Sequence, residues 1–149
     1  MDIKRLNFEN KKLVKRCDEL FLEFFKSEKE YDENYNIKEN VNSFINDLLD
    51  ENKILLAAIE NNKVAGFLYG FIERKENFNS PVGHISFLYV DNEYRNKKIA
   101  TNLIDKFIYE LKKINIEIVE VKSFENNEVA KAIYLKYGFK PLWINYRKI

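Results

Sequence analysis

Residues 83–114 constrain the fold more than any other part of the sequence, because a strand pattern changes there into a helix pattern across a short basic turn. The residues from Ile85 to Val90 are mostly apolar, β-branched or aromatic, which predicts a buried strand. After the turn, apolar residues recur every three or four positions, which predicts an amphipathic helix packed on a sheet. The predicted apolar face contains Ile99, Leu103, Ile104, Phe107, Ile108, Leu111 and Ile114, and the predicted polar face contains Asn102, Asp105, Lys106, Glu110, Lys112 and Lys113.

The turn between these two elements is predicted to bind phosphate. A helix start offers backbone N–H groups without partners and the positive end of the helix dipole, and Arg95, Lys97 and Lys98 add three cations. The turn has neither the P-loop spacing nor the glycine spacing of dinucleotide-binding loops. The sequence therefore predicts a different kind of phosphate-bearing ligand, with a solvated basic turn as the alternative.

The chain before this region is predicted to contain a strand, two helices and a hairpin. A short alternating strand at Ile3–Phe8 precedes a helix with an apolar stripe from Leu13 to Phe25. The runs Ile54–Ile59 and Val64–Ile72 flank a polar turn, which predicts two strands joined as a hairpin. A second amphipathic helix is predicted from apolar residues at helical spacing, namely Ile37, Val41, Phe44, Ile45, Leu48 and Leu49.

The chain after the long helix is predicted to form a strand, a helix and a last strand. Ile116–Val121 indicates the strand, Asn127–Tyr137 a helix that ends at Gly138, and Phe139–Tyr146 the last strand. The full predicted order is β-α-α-β-β-β-α-β-α-β. A hairpin followed by a β-α-β unit predicts a mixed α/β sheet with helices on both faces, and the length and hydrophobic content predict one domain, residues 1–149.

Composition and charge exclude several classes of protein. The chain has 25 Lys and Arg against 24 Asp and Glu, which leaves no basic excess for nucleic acid. No apolar run approaches a membrane span and the N-terminus lacks the apolar core of a signal peptide, so a cytoplasmic protein without a membrane partner is expected. Cys17 lies in the first apolar stripe and is predicted to be a small buried side chain. With one His and one Cys, no metal site is expected.

Two ordered motifs identify a family. Residues 90–100 read Val-Asp-Asn-Glu-Tyr-Arg-Asn-Lys-Lys-Ile-Ala, and residues 127–139 read Asn-Glu-Val-Ala-Lys-Ala-Ile-Tyr-Leu-Lys-Tyr-Gly-Phe. They resemble the two signatures of the GNAT superfamily of acetyl-coenzyme A-dependent N-acetyltransferases, Gln/Arg-x-x-Gly-x-Gly/Ala and Asn-x-x-Ala-x-x-x-Tyr-x-x-x-Gly-Phe. Arg95 and Ala100 match the ends of the first signature. Lys98 replaces its central glycine, which removes backbone freedom and adds charge.

The resemblance covers residues 83–140 and implies acetyl-coenzyme A as the bound acetyl donor. In the family, the pantetheine arm pairs with backbone groups of the central strand where that strand parts from its neighbour, and the following loop binds the pyrophosphate. Asn127 would contact the coenzyme near its pantetheine, cap its own helix, or do both. The implied coenzyme ligands are Leu88, Tyr89, Val90, Arg95, Asn96, Lys97, Lys98, Ile99, Ala100, Thr101 and Asn127.

Tyr134 and His84 are the residues that the resemblance implies for proton transfer. Tyr134 matches the family's general acid, which protonates the departing thiolate, although tyrosines on amphipathic helices are also common core residues. An alkylammonium group is neutral about one time in a thousand at pH 7, so its proton needs an acceptor. His84 occupies a strand position where several family members have a carboxylate base. The alternative is a structural His84, with Ser86 and a water chain as the route.

The acceptor is predicted from local charge. Residues 28–51 contain eight acids against two lysines, a local charge of −6 in a chain whose net charge is +1. In the family this part of the chain commonly lines the acceptor side, which suggests a cationic amine such as a polyamine, an aminoglycoside-like molecule or a protein amine. A solvated helix pair with ordinary surface charge is equally consistent. The predicted substrate residues are Glu30, Tyr31, Asp32, Glu33 and Tyr35.

The predicted function is acetyl transfer to a primary amine of a small molecule or peptide, by direct attack on the thioester in a monomer or homodimer. A non-catalytic acyl-coenzyme A-binding sensor or interaction module of the same fold is the alternative, because Lys98 departs from the family pattern.

Overall fold

One five-stranded mixed sheet organises the chain. The computed structural model describes residues 1–35 and 42–149, and the strands follow one another across the sheet in sequence order. Neighbours are antiparallel from the first strand to the fourth, and the fifth strand is parallel to the fourth. The predicted mixed α/β class is therefore confirmed. The strands are β1 (Asp2–Arg5), β2 (Lys53–Glu60), β3 (Lys63–Glu73), β4 (Val82–Val90) and β5 (Ile118–Val121), and the helices are α1 (Lys11–Glu28), α2 (Ile99–Lys112) and α3 (Glu128–Lys136).

The predicted hairpin is formed by β2 and β3. A two-residue turn, Asn61 and Asn62, joins the strands, and their φ angles of 51° and 63° are both left-handed. Such turns need positive φ at both central residues, which asparagine tolerates better than most side chains do. Both strands are buried over most of their length, which explains the unbroken apolar runs in the sequence.

Helices cover both faces of the sheet. On one face, α1 buries Val14, Cys17 and Leu20 in a cluster rich in aromatic rings. Cys17 is buried, as predicted, and burial raises the pKa of its thiol to about 12. On the other face, α2 lies close to the sheet because Gly70 and Gly83 have no side chains. A β-carbon on Gly70 would come within 2.6 Å of the Phe107 ring, and one on Gly83 would overlap Leu111.

The prediction of a second helix before the hairpin is wrong for the described part of that segment. Of its apolar residues, Ile37 and Val41 lie outside the described residues. The described part is no α-helix, since Phe44–Asp47 form a single turn of 3-10 helix. The Asp18 carboxylate on α1 accepts hydrogen bonds from the Ser43 hydroxyl at 2.5 Å and from the N–H of Phe44 at 2.9 Å. These hydrogen bonds hold Phe44 in the aromatic cluster. Part of the apolar pattern that suggested a helix is therefore due to one buried ring in a short turn.

The last predicted strand, Phe139–Tyr146, is also wrong. This stretch forms no strand, and within the described part of the chain its backbone makes no hydrogen bond to the sheet. The N–H of Phe139 bonds the Tyr134 carbonyl in the α3 cap. Pro141 lacks a donor for a strand ladder, and β5 offers only four residues as a neighbour. The apolar side chains are left in solvent, with Trp143 84% exposed.

Glu110 is predicted to lie on the polar face of α2, but its side chain is buried and only 7% exposed. Its carboxylate lies 3.0 Å from the Lys113 ammonium, 3.3 Å from that of Lys106 and 3.5 Å from the Arg5 guanidinium. Burial raises the pKa of Glu110, but the hydrogen bonds from the two lysines outweigh it and hold the pKa below its usual value. The buried charge thus connects β1 to α2.

Candidate active site

The candidate site is centred on the second half of β4, where the sheet opens. β5 pairs with β4 only along Val82–Ile85, whereas β3 pairs with β4 as far as Val90. Within the described residues, Ser86–Val90 therefore has a strand neighbour on one side only. The predicted pantetheine contacts Leu88, Tyr89 and Val90 all lie along this opening.

A β-bulge marks the start of the opening. Phe87 pairs with Tyr69 and Ile85 pairs with Gly70, which leaves Ser86 as an extra residue in β4. A bulge bends its strand and increases the local twist. Because Ser86 directly follows the last residue that pairs with β5, the bulge accounts for the divergence of the two strands.

The turn between β4 and α2 presents unbonded backbone N–H groups. Among the described residues, no acceptor receives a hydrogen bond from the N–H groups of residues 96–101. Asn96 and Lys98 have left-handed φ angles of 63° and 61°, and Lys98 is the N-cap of α2. Consecutive N–H groups in such a turn at a helix start form an anion-binding concavity. The Thr101 hydroxyl donates to the Lys98 carbonyl at 2.8 Å, so its predicted phosphate contact requires that bond to be exchanged.

The cationic side chains of this turn are partly held by the protein. Arg95 Nε donates to the Val90 carbonyl at 3.1 Å, and the guanidinium lies 5.5 Å from the Tyr89 ring. The Lys97 ammonium lies 5.3 Å from the Tyr94 ring. The contacts of Arg95 leave its Nη groups as donors to an anion.

Tyr134 on α3 contacts the core beside the opening. It packs, partly buried, against the cluster that Leu88 of β4 and Val121 of β5 also join, and Phe139 meets its ring edge-on at 5.6 Å. Burial and, to a smaller extent, the negative charge of Glu28 raise the pKa of Tyr134 to about 12. Its hydroxyl has no hydrogen-bond partner among the residues that the structure describes. This arrangement fits a proton donor that stays protonated at neutral pH.

Other residues of the second motif hold α3 in place. Asn127 caps the helix, as predicted, by accepting a hydrogen bond from the N–H of Ala130 at 3.1 Å. The Tyr137 hydroxyl lies 3.1 Å from the Thr101 carbonyl and 3.2 Å from the Asp105 carboxylate, which connects α3 to the start of α2. Tyr137 is therefore structural, in contrast to the unbonded Tyr134.

His84 lies in the paired half of β4, before the opening begins. Its Nε2 is 2.5 Å from a carboxylate oxygen of Glu73, although the N–H is not aligned for a hydrogen bond, and its ring stacks on Phe71 at 4.9 Å. In the described part of the chain, no hydrogen bond or ion pair joins His84 to Tyr134. The role of His84 as a base, like the alternative route through Ser86, stays a prediction.

The predicted acceptor tyrosines pack against the segment after β5. Tyr31 stacks on Phe124 with the ring centroids 6.0 Å apart, and Tyr35 meets the same ring edge-on at 6.1 Å. The Asn126 side chain donates a hydrogen bond to the Tyr31 carbonyl at 3.3 Å. The end of α1 and the segment that precedes α3 thus form one wall.

The predicted acidic substrate residues do not share one environment. Asp32 makes two 2.9 Å contacts with the Arg147 guanidinium, which hold the pKa of Asp32 below its usual value. Glu30 and Glu33 are exposed, and within the described residues neither has an ion-pair partner. The negative charge near α1 is therefore less concentrated than the sequence predicts.

Glu28 is a candidate that the sequence motifs do not identify. It is the last residue of α1, it is half-buried, and burial raises its pKa. The sequence contained one signal, because Glu28 continues the apolar stripe of Phe24 and Phe25 at helical spacing. An acid on an apolar stripe is unusual unless it has a partner or a function.

Other surface features have fewer groups that could bind a ligand or transfer a proton. Within residues 1–35 and 42–149, no group of three or more His, Cys, Asp or Glu side chains is placed to hold a metal ion. A surface cleft of about 490 Å³ between Arg16 and Tyr94 borders the basic turn but is not lined by Tyr134. No helix in the same ranges combines the length and apolar character that crossing a bilayer requires.

Comparison with known proteins agrees with this geometry. A family model described as the acetyltransferase (GNAT) family matches residues 14–139. Comparison with curated proteins gives no match.

Solved structures reproduce the whole fold at low sequence identity. The tetramutant of the BH1408 protein from Bacillus halodurans has a TM-score of 0.85 and 16% identity, with 100% of this chain and 99% of that chain covered. An aminoglycoside acetyltransferase, meta-AAC0020, from an uncultured soil metagenomic sample has a TM-score of 0.80 and 19% identity over 99% and 95% of the two chains. Aminoglycoside N-acetyltransferase AAC(6′)-Iy in complex with CoA has a TM-score of 0.71 and 17% identity over 99% of both chains.

Proposed function

This chain belongs to the GNAT acetyltransferase family, and on that premise we propose that it transfers the acetyl group of acetyl-coenzyme A to a primary amine that carries positive charge. The observation that carries the proposal is the opening along Ser86–Val90. It ends at a turn whose N–H groups have no hydrogen-bond acceptor among the described residues, and Tyr134, whose hydroxyl has no partner in the same residues, packs beside it. We treat residues 1–149 as one catalytic domain, active as a monomer or homodimer.

The coenzyme would lie along the opening and end at the basic turn. The N–H of Asp91 bonds the Ala65 carbonyl of β3, so by strand alternation the backbone of Tyr89 also points to β3. The backbone groups of Leu88 and Val90 face the side where β4 has no strand neighbour among the described residues, and they suit the amide groups of the pantetheine arm. The N–H groups of residues 96–101, including that of Lys98, suit the pyrophosphate, with Arg95 and Lys97 as charged donors. Loss of the Arg95 or Lys97 side chain should mainly weaken coenzyme binding, which calorimetric titration with acetyl-coenzyme A would measure.

Tyr134 is assigned as the general acid. Tyr134→Phe should lower kcat roughly 100-fold and leave coenzyme affinity unchanged, because the change removes the proton donor and keeps the ring. Since burial raises the pKa of Tyr134 to about 12, wild-type turnover should show no loss from phenol ionisation up to about pH 10. A thiol-release assay between pH 6 and pH 10 measures both effects.

Tyr137→Phe is the matched control for that substitution. It removes the hydroxyl that connects α3 to α2, so it should lower the thermal midpoint while turnover stays within about twofold of wild type. Full activity of Tyr134→Phe would assign the acid to another group.

The proposed acceptor is a cationic amine. The exposed acids Glu30 and Glu33 lie beside a wall formed by Tyr31, Tyr35 and Phe124, and aromatic faces and carboxylates both attract ammonium groups. Two of the three similar structures described above are aminoglycoside acetyltransferases. The chemistry of the wall and these folds together support a cationic acceptor.

A thiol-release screen at low and high salt tests the acceptor class. The panel contains spermidine, kanamycin, amino acids and lysine peptides. We expect a preference for cations that weakens at high salt and after Glu30→Lys and Glu33→Lys together. Asp32 is left unchanged in this test because reversing its charge would break its contact with Arg147. A preference for neutral amines would overturn the acceptor assignment.

The competing function is a non-catalytic acyl-coenzyme A sensor. The observation that favours it is the bond between Arg95 and the Val90 carbonyl, which occupies one backbone acceptor beside the opening. Tight coenzyme binding without acetyl transfer to any amine of the panel would support the sensor. No binding of acetyl-coenzyme A at millimolar concentration would overturn both functions.

A further inference from the structure

Glu28 lies on the sheet-facing stripe of α1, at the C-terminal end of the helix. It follows Phe24 by four residues and Phe25 by three, which places the three side chains on one face. Both rings pack on Phe87 of β4, with centroid distances of 5.5 Å and 6.0 Å. The Glu28 side chain therefore projects from the face of α1 that packs on the sheet.

The direction of α1 brings this end of the helix to the opening. Arg16, in the first half of α1, contacts Asp91 just beyond the end of β4 at 2.9 Å, whereas the second half of α1 rests on Phe87. The helix therefore runs antiparallel to β4. One further turn advances about 5 Å, which corresponds to between one and two strand residues. Glu28 thus arrives level with the bulge residue Ser86, where pairing with β5 has ended.

The other acids of α1 are either bonded or in solvent. Asp18 accepts hydrogen bonds from the segment at Ser43, and Glu19 pairs with Arg16 at 3.0 Å. Glu23 is exposed. Glu28 is half-buried, and within residues 1–35 and 42–149 its carboxylate has neither an ion-pair nor a hydrogen-bond partner.

Among the described residues, the Glu28 charge contributes to the raised pKa of two phenols, Tyr35 in the segment after α1 and Tyr134 on α3. Burial is the larger cause of the raised pKa of both phenols, and the Glu28 charge is the second cause. Asp32, one turn further along the chain, is already held by Arg147. Among the described residues, no cation therefore occupies the Glu28 carboxylate, which leaves it able to receive one from solution.

From this placement we propose that Glu28 receives the ammonium group of the acceptor and accepts its proton, with Tyr134 as the proton donor to sulfur. The inference rests on the acetyl transfer proposed above and names its general base. It assigns that role to Glu28 in place of His84, which lies in the paired half of β4 against Glu73.

In the proposed reaction, the ammonium group gives one proton to the Glu28 carboxylate, and the lone pair of the resulting amine forms a bond to the acetyl carbonyl carbon. The carbon–sulfur bond then breaks, and its electron pair leaves with sulfur. Tyr134 gives its proton to sulfur and regains one from the new amide nitrogen, and Glu28 releases its proton to solvent.

The charge of Glu28 also favours one order of these transfers. While Glu28 is charged, it disfavours ionisation of Tyr134. When Glu28 has accepted the amine proton, that charge is gone and Tyr134 becomes a stronger acid. The donor is therefore strengthened only after a neutral amine has formed.

The pH dependence of three variants tests the role of Glu28. The probes are spermidine, kanamycin and a lysine peptide, and the measurement is kcat/KM by thiol release from pH 6 to pH 10. Glu28→Gln should lower kcat/KM about 100-fold at pH 7, and the loss should shrink as the pH approaches 10, where the free amine forms without a base. Glu28→Asp should recover part of the activity, and the exposed Glu23→Gln should match wild type.

Calorimetry with acetyl-coenzyme A separates this inference from the proposed function. All variants should bind the coenzyme as wild type does, because Glu28 contacts the acceptor. Equal kcat/KM for Glu28→Gln and wild type, or a loss that is constant across pH, would overturn the role of Glu28 and leave acetyl transfer intact. Absence of thiol release by wild type with every cationic probe would overturn the cationic-acceptor function and the role of Glu28 together.

Discussion

Lys98 has the backbone conformation of a glycine position without being glycine. Its φ of 61° and ψ of 22° lie in the left-handed region, which costs about 1 kcal/mol or more for a residue with a β-carbon. The sequence motif predicted that glycine freedom is lost here. The structure shows that Lys98 nevertheless adopts the left-handed conformation that glycine would reach without strain.

Lys98→Gly and Lys98→Ala form a pair that separates strain from charge. Both variants lose the ammonium group, but only glycine relieves the left-handed strain. We expect Lys98→Gly to be more stable than Lys98→Ala by about 1 kcal/mol in urea unfolding, because alanine keeps the β-carbon. Coenzyme affinity should be equal to wild type or higher for Lys98→Gly. Sharply weaker binding by both variants would show that the ammonium group itself holds phosphate.

The helices and strands show where sequence patterns suffice and where they fail. α1, α2 and the β2–β3 hairpin were predictable because each buries a face against a partner, and burial leaves a periodic signal. The apolar pattern of Phe139–Tyr146 is just as clear, yet that stretch pairs with no strand in the described chain. An apolar pattern indicates what a segment could bury, but it does not indicate whether a neighbouring strand is available. The motifs placed Tyr134 and the basic turn, whereas Glu28 requires the direction of α1 over β4.

Glu110 gives a prediction for the packing of α2 on β1. Glu110→Gln should lower the free energy of unfolding at pH 7 by about 1–3 kcal/mol, because three cations lose their buried partner. The folded-state pKa of Glu110 lies below its unfolded value, so the contribution is present above about pH 4.3 and is lost as the pH falls through the folded pKa. Urea unfolding at pH 7 and at about pH 3 measures this, with the exposed Glu117→Gln as the control. A difference that persists undiminished at pH 3 would contradict the charge argument.

The molecule as a whole leaves an unusual amount of apolar surface in solvent. The exposed apolar side chains after α3 are Leu142, Trp143, Ile144, Tyr146 and Ile149, with exposures of 67% to 95%. Soluble monomers rarely expose contiguous patches of this kind. Buried aromatic side chains contribute about 150–250 Å² each, so two such segments supply most of a stable interface of roughly 1,200–2,000 Å².

We therefore expect the chain to form a homodimer through this segment. Light scattering coupled to size exclusion, between about 1 and 100 μM, should report a dimer for wild type and a monomer for Trp143→Arg. The control Val129→Arg places the same charge at an exposed site on α3 and should stay dimeric. A wild-type monomer at 100 μM would contradict the prediction that this segment forms a dimer interface.

The short pairing between β4 and β5 also affects the order in which the sheet forms and opens. β2, β3 and β4 are neighbours in the chain, whereas β5 must wait until α2 has crossed back to the sheet, and then it gains only four paired residues. We expect the edge that flanks the coenzyme to form last and to open first, so backbone amides of Ile118–Val121 should exchange hydrogen faster than those of Phe67–Tyr69. Acetyl-coenzyme A should slow exchange in β5 more than in β3. The bound coenzyme would then determine the lifetime of the pairing between β4 and β5.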